Sequence, residues 1–349
     1  VINLIGDIIT PNGYGNHTKG LANALDKIEP IKLTSQINPG AEKLLNDREL
    51  EMLKRKGGDI NLIVTHPLFW RLNLGKRNWA YCVWEGDKVP DYMIEEMLNP
   101  QIEKIIVPSK HTYDAVAKCV IMDNSILSKL IIVPHGVDLN LFYPKEKPSK
   151  VTFLCNKGWR NNEDRGGIQY AIKAYFEEFT DKDDVELIIK VNPVYGVPDI
   201  TKLITELTDK KSGVPKLTFS FDLVPQNKLV EFYNKGNVFL SPTRAEAFNI
   251  PCLEAMACGL PVLTTNFGGQ TDFVNDENGW LIGGQMTEIK HELEYEGISW
   301  LTPSIIELRK VMREIYSNPQ LIKQKGLKAI KTAQEFTWDN SAKKICQLL

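Results

Sequence analysis

Short runs of branched apolar residues recur along the chain. Each is followed by a polar or glycine-bearing stretch, then by a segment with apolar residues at three- and four-residue spacing. VINLIGDI, IKLTSQI, INLIVTH, AYCVW, IEKIIVP and KLIIVP read as strands in the first part. VTFLCN, VELIIKVNP, LTFSF, VFL (238–240) and PVLTT (261–265) do so in the second. Between them HTKGLANALDKI, the segment after Ser109 as N-cap, IQYAIKAYFEEF, ITKLITELTDKK and CLEAMAC read as helices. NDRELEMLKRKGG is a charged helix expected to show a solvated face. IIELRKVMREIYSNP and QLIKQKGLKAIKTAQEF are amphipathic, and TWDNSAKKICQLL closes the chain. Strand–loop–helix units in succession make an α/β architecture. The charged stretch GQMTEIKHELEYEGISW, 284–300, has no such pattern and is expected to be a surface loop.

The pattern is densest from Phe239 to Gly283. Pro251 suits a first helical turn, because its fixed φ fits there and its missing N–H has no partner to lose. Gly259 stops that helix. Two strand–loop–helix units therefore stand side by side, the second opening at GGQTD, and their helix N-termini offer N–H groups to an anion such as a phosphate. Glu246 lies in the first loop and Glu254 in the helix behind it. A carboxylate accepts two hydroxyl donors, so this pair can grip a sugar and a ribose.

Other candidates are scattered. The loop with Gly13 and Gly15 after the first strand is either a sugar or phosphate cradle or a tight turn. Asn16 and His17 there either cap the helix or meet ligand. His66 ends a strand and either lines a cleft or bonds to backbone. Glu85, Asp87 and Pro90 follow AYCVW, at the strand end where ligands gather in α/β sheets. The loop after VTFLCN carries Lys157, Arg160 and Arg165, and a guanidinium can hold two phosphate oxygens in one plane. The competing reading is a solvated basic loop. His135 and Asp138 read as interdomain structure, and KEKPSK, 145–150, as a linker.

At 349 residues, two domains are the natural expectation, and 43% apolar content supplies two cores. A formal charge of −2 argues against a nucleic-acid partner. No apolar run approaches the ~18 residues of a spanning helix, and the chain opens on a strand with no visible signal peptide. Six scattered cysteines without a CxxC pair read as reduced thiols of a cytosolic protein.

EAFNIPCLEAMACGLPVLTTNFGG, followed by Asp272 and Asn278-Gly279, resembles the donor-site signature of the retaining family-4 glycosyltransferases. The family has Gly at the positions of Ala247 and Asn249. The resemblance implies a GT-B fold: two Rossmann-like domains facing a central cleft. Residues 1–146 would form the acceptor-side domain, 147–325 the donor domain and 326–349 a helix returning to the first. It implies that Lys157, Arg160 and Arg165 hold the donor diphosphate; the family's lysine position falls on Gly166, so Arg165 or Arg160 takes its place. Glu254 would hold the ribose and Glu246 the sugar hydroxyls. Asn249, Ile250, Gly268 and Gly269 would complete the donor site, with backbone at 221–225 on the base. Gly13 and Gly15 would face the transferred sugar and its phosphate. Glu85 would stand near the acceptor hydroxyl or the donor sugar, unless it only caps a helix.

The implied activity is metal-independent transfer, with retention, from a nucleoside-diphosphate sugar (a UDP- or GDP-sugar) and no further cofactor. The acceptor would be a glycan, a lipid-linked sugar or a protein. The oligomeric state stays open, as does weak peripheral contact at the inner face of a membrane from the cytoplasm. A nucleotide-sugar epimerase of the same fold and a non-catalytic nucleotide-sugar-binding protein are the competing readings.

Overall fold

A computed structural model describes every residue except 121–123, 160–163, 197–198, 209–212 and 291–292. The chain forms two compact units. The first comprises Val1–Asp138, Glu288–Ser299 and Phe336–Leu349, and the second Leu139–Thr287 and Trp300–Glu335.

In the first unit the elements run β1 (Ile2–Gly6), α1 (Gly13–Ile28), β2 (Lys32–Thr34), α2 (Asp47–Lys54), β3 (Ile60–Val64), β4 (Arg77–Tyr81), α3 (Asp91–Met97), β5 (Ile102–Val107), α4 (Lys110–Cys119), α5 (Asn124–Leu127) and β6 (Leu130–Ile132). The strands form one sheet in the order β2-β1-β3-β4-β5-β6, and the pairs are parallel. Parallel sheets need both faces covered, which explains why the strand runs are apolar throughout and do not alternate. The charged helix α2 shows the expected solvated face, with Asp47, Arg48, Glu51 and Lys54 exposed, and buries one charged residue on its other side. Glu49 is wholly buried: it closes a capping box with Asn46 and accepts a bond from Asn23.

The second unit continues with β7 (Val151–Lys157), α6 (Ile168–Glu178), β8 (Val185–Val191), α7 (Ile200–Thr208), β9 (Lys216–Ser220), α8 (Leu229–Tyr233), β10 (Val238–Ser241), α9 (Ile250–Ala257), β11 (Val262–Thr265) and β12 (Gly279–Ile282). Its sheet order is β12-β11-β10-β7-β8-β9, again with parallel pairs. Val151, Phe153 and Cys155 of β7, Tyr175 and Phe176 of α6, and Leu187 and Ile189 of β8 belong to one core cluster. The remaining elements are β13 (Gly284–Glu288), β14 (Ser299–Pro303), α10 (Ile305–Ser317), α11 (Pro319–Glu335) and α12 (Trp338–Cys346).

Three expectations need revision. The units divide after Asp138, and KEKPSK is not a free linker. Asn234 at the end of α8 pins it: Oδ1 accepts from the Lys145 N–H and from Lys147 Nζ, both at 2.7 Å. The return to the first unit begins at Phe336, not 326, because α11 packs on α9. The 284–300 stretch is not a loop: β13 and β14 pair, and Ile289, Tyr295, Ile298 and Trp300 are buried. Its charges hid a sparse apolar pattern.

Candidate active site

In an open parallel sheet, ligands collect where the strand order reverses, because the loops leaving the two flanking strands diverge and leave a crevice. In the second unit that point lies between β7 and β10. β7 ends in Asn156 and Lys157, and β10 leads into the loop of Arg244 and Glu246. The two loops meet. Lys157 Nζ donates to Glu246 Oε1 at 2.7 Å and to Asn249 Oδ1 at 2.6 Å. Arg165 Nη1 donates to Glu246 Oε2 at 3.4 Å and to the Ala245 carbonyl at 3.3 Å. The Lys157 side chain is only 4% exposed and that of Glu246 17%. Burial pushes the Glu246 carboxyl up, but Lys157 and Arg165 outweigh it and hold the group below the usual carboxylate range. Arg160 lies outside the described residues.

Asn249 carries the one positive φ among the described non-glycine residues, 77°, immediately before α9. This is the left-handed region that glycine enters freely and Asn tolerates better than other side chains. The departure from the family's glycine therefore keeps the backbone and adds an amide. Asn249 Nδ2 donates to Ser241 Oγ at 3.1 Å while Oδ1 holds Lys157. Ile250 then opens α9, with Pro251 in its first turn.

Glu254 sits on the buried face of α9, 3% exposed. The Tyr233 hydroxyl donates to its Oε2 at 2.6 Å and accepts from Asn156 Nδ2 at 3.0 Å. Burial raises the Glu254 carboxyl to about 7; the bond from Tyr233 and the field of Lys190 oppose that rise. Lys190, in β8, is itself 4% exposed, and burial lowers its ammonium. The region thus holds three cations, Lys157, Arg165 and Lys190, against Glu246, the Asp222 carboxylate that acts on Lys190, and a Glu254 that is partly protonated at neutral pH. Buried cations brought together at a strand end favour a multiply charged anion.

Sequence reading missed Asn156, Lys190 and Tyr233. A lysine near the carboxyl end of an otherwise apolar strand, as in VELIIKV and FLCNK, was the available signal.

The glycine candidates differ in their surroundings. Gly269 N–H donates to the Glu246 carbonyl at 2.7 Å, and a Cβ there would lie 2.0 Å from the Ala247 carbonyl. Gly268, at φ 104°, starts the short turn Gly269–Asp272. The pair braces the Glu246 loop from behind, so the Gly269 N–H is not available to a phosphate. Gly13 and Gly15 lie in the first turn of α1, not in a loop. The cap is Asn12, not Asn16 or His17, and its side chain accepts from Gly15 N at 2.9 Å. A Cβ on Gly15 would fall 1.9 Å from the Thr10 carbonyl, whereas Gly13 is open. His17 is buried with its ring 4.2 Å from those of Tyr81 and His135, and burial holds it well below its ordinary value.

In the first unit, Glu85 follows β4 and is 8% exposed. The Tyr295 hydroxyl donates to its Oε1 at 2.8 Å. His66, after β3, has Nε2 3.0 Å from Glu294 Oε1, which also accepts from the Tyr92 hydroxyl at 2.8 Å. Among the described residues no three His, Cys, Asp or Glu side chains form a group able to hold a metal ion, and no helix is long and apolar enough to cross a membrane.

Two doubly wound parallel units, one with a cationic and carboxylate-bearing switch point, define a two-domain α/β protein suited to a phosphorylated ligand. Residues 192–295 match the family model of glycosyl transferases group 1. The fold is that of sucrose-phosphate synthase from Thermosynechococcus elongatus, with a TM-score of 0.70 at 17% identity over 99% of this chain and 97% of the other. HepE of Anabaena in complex with UDP and glucose gives 0.67 at 13% identity over 99% and 98%. A probable sucrose-phosphate synthase of Thermosipho melanesiensis is 22% identical over 64% of this chain and 48% of its own length. The chain thus spans about half of that relative. The chain therefore has the GT-B fold, and its residues 192–295 are similar to glycosyl transferases group 1.

Proposed function

We propose that the protein transfers a sugar, with retention at the anomeric carbon, from a nucleoside-diphosphate sugar to an acceptor hydroxyl. The observation that carries this is the meeting of Lys157, Arg165, Glu246 and Asn249 at the switch point of the second sheet. Departure of the diphosphate is the demanding step. Lys157 and Arg165 are preorganised to stabilise the growing charge on the leaving oxygen, so this chain's own cations take the part a metal plays elsewhere. When a diphosphate draws these cations, Glu246 is released toward sugar hydroxyls, which a carboxylate accepts in pairs. Glu254, with Tyr233 fixing one oxygen, presents the other to a ribose diol.

No carboxylate is placed as an enzymic nucleophile in this scheme. The leaving phosphate oxygen takes the acceptor proton on the face it departs from, and the acceptor oxygen bonds to the anomeric carbon on that same face. Glu85, in the loop after β4, is read as the carboxylate that serves the acceptor hydroxyl. UDP and GDP are the favoured nucleotides, and the acceptor is a glycan, a lipid-linked sugar or a protein. UDP is the nucleotide in the HepE complex.

A thermal-shift panel of UDP-, GDP- and ADP-sugars tests donor binding, because a ligand of the folded state raises its melting temperature. Product NMR then reads the anomeric configuration. An inverted product refutes the mechanism. An epimerised sugar formed from donor alone moves the protein to epimerase chemistry. Turnover that survives Glu246→Ala removes that residue from the site.

A further inference from the structure

Glu85 is held by a segment far away in sequence. The chain leaves the second unit after Thr287, packs in the first over Glu288–Ser299 and returns at Trp300. Along this excursion the contacts fall on both sides of Glu85. The Tyr295 hydroxyl donates to Glu85 Oε1 at 2.8 Å. Its ring lies on Trp84, with centroids 5.0 Å apart and planes at 20°. The Ser299 N–H donates to Asp87 Oδ1 at 2.7 Å. Ile298 presses on the intervening residue so closely that a Cβ on Gly86 would meet it at 2.5 Å. Glu294, one residue before Tyr295, is held by His66 and Tyr92.

A glutamate on a loop has three side-chain torsions and many rotamers. Here a nearly buried phenol, itself locked by stacking, fixes one carboxylate oxygen. We infer that Tyr295 is a positioning residue for Glu85, which sets that carboxylate for the acceptor hydroxyl. This rests on the reading of Glu85 given above. The same segment continues into the donor side of the chain. In β14, Leu301 N–H donates to the Arg244 carbonyl at 3.0 Å, and the Arg244 guanidinium lies 5.3 Å from the Trp300 ring centroid. Arg244 is two residues before Glu246. One short segment therefore supports both the loop of the donor-side carboxylate and the orientation of the acceptor-side one.

The test is Tyr295→Phe, which keeps the ring on Trp84 and removes only the hydroxyl. Transfer to acceptor is expected to fall about 10- to 100-fold in kcat, the range spanned by one hydrogen bond to a charged group. Acceptor-free hydrolysis of the donor and the melting temperature should hold. Glu85→Gln should lower transfer at least as far, and the double variant should be no worse than Glu85→Gln alone. Unchanged transfer in Tyr295→Phe overturns the inference, as does a parallel fall in hydrolysis, transfer and melting temperature, which marks a merely structural role. If Tyr295→Phe slows transfer but Glu85→Gln does not, the Glu85 reading fails and this inference with it, while donor chemistry stands. A wild-type protein that turns over no nucleotide sugar overturns the proposed function itself.

Discussion

Glu254→Gln should make the protein more stable in alkali and less able to bind donor. The carboxyl rises from an ordinary 4.5 to about 7, chiefly through burial. The folded state therefore binds more protons than the unfolded chain between those values, and stability falls as pH rises through that window. At ~1.4 kcal/mol per pKa unit the full cost of ionising the group at pH 8 is about 3 kcal/mol; at pH 5 the same linkage leaves under ~1 kcal/mol. Glutamine is never charged, and its carbonyl oxygen still accepts from Tyr233. The Tyr233 bond is already among the causes that set this pKa, and at pH 5 the folded carboxyl is neutral, so no further charge-assisted bond is lost. The net expectation is a gain of about 3 kcal/mol at pH 8, or roughly 6–12 °C in Tm for a unit of this size, and under ~1 kcal/mol at pH 5. Thermal unfolding of wild type and variant at both pH values reads it directly. Equal Tm differences at pH 5 and pH 8 would refute the claim that α9 carries a costly buried carboxylate. Gain of stability with loss of donor-induced stabilisation is what a residue kept for ligand and not for folding should show.

Two further variants probe the other carboxylate. Lys157→Met removes the partner 2.7 Å from Glu246 and leaves Arg165 at 3.4 Å; breaking such a pair costs about 3–5 kcal/mol, read as lost Tm. In wild type the depressed Glu246 carboxyl contributes stability above the ordinary carboxylate range, and that contribution is lost as pH falls through its folded value. In Lys157→Met this acid-side loss should disappear, and an acid melt that keeps it refutes the pairing. At Asn249, φ 77°, Ala should be less stable than Gly by about 1–2 kcal/mol, although both lose the same amide bonds. Equal Tm values for the two would show that backbone conformation is not what the position selects.

The apolar runs and their polar loops determined the α/β class, because strands buried on both faces cannot hide in a sequence. The turn chemistry before and after α9, Pro251 and Gly259, was legible for the same local reason. So was the motif holding Glu246 and Glu254, and with it the resemblance to a glycosyltransferase family. Strand order was not legible. Only the β7–β10 adjacency places Lys157 on Glu246, 89 residues apart, since pairing across the switch point follows from packing of the whole sheet. Helix ends also shifted: α1 begins at Gly13, capped by Asn12, because the backbone near Thr10 folds onto Gly15, a contact no local pattern announces. The segment after Gly283 was misread for a related reason. Glu288, Lys290, Glu294 and Glu296 are exposed while Ile289, Tyr295, Ile298 and Trp300, spaced irregularly, bury, and Tyr295 finds Glu85 210 residues away. Local propensity acts over a few residues. Which distant polar groups neutralise one another in a dry interior is settled only when the chain has closed on itself.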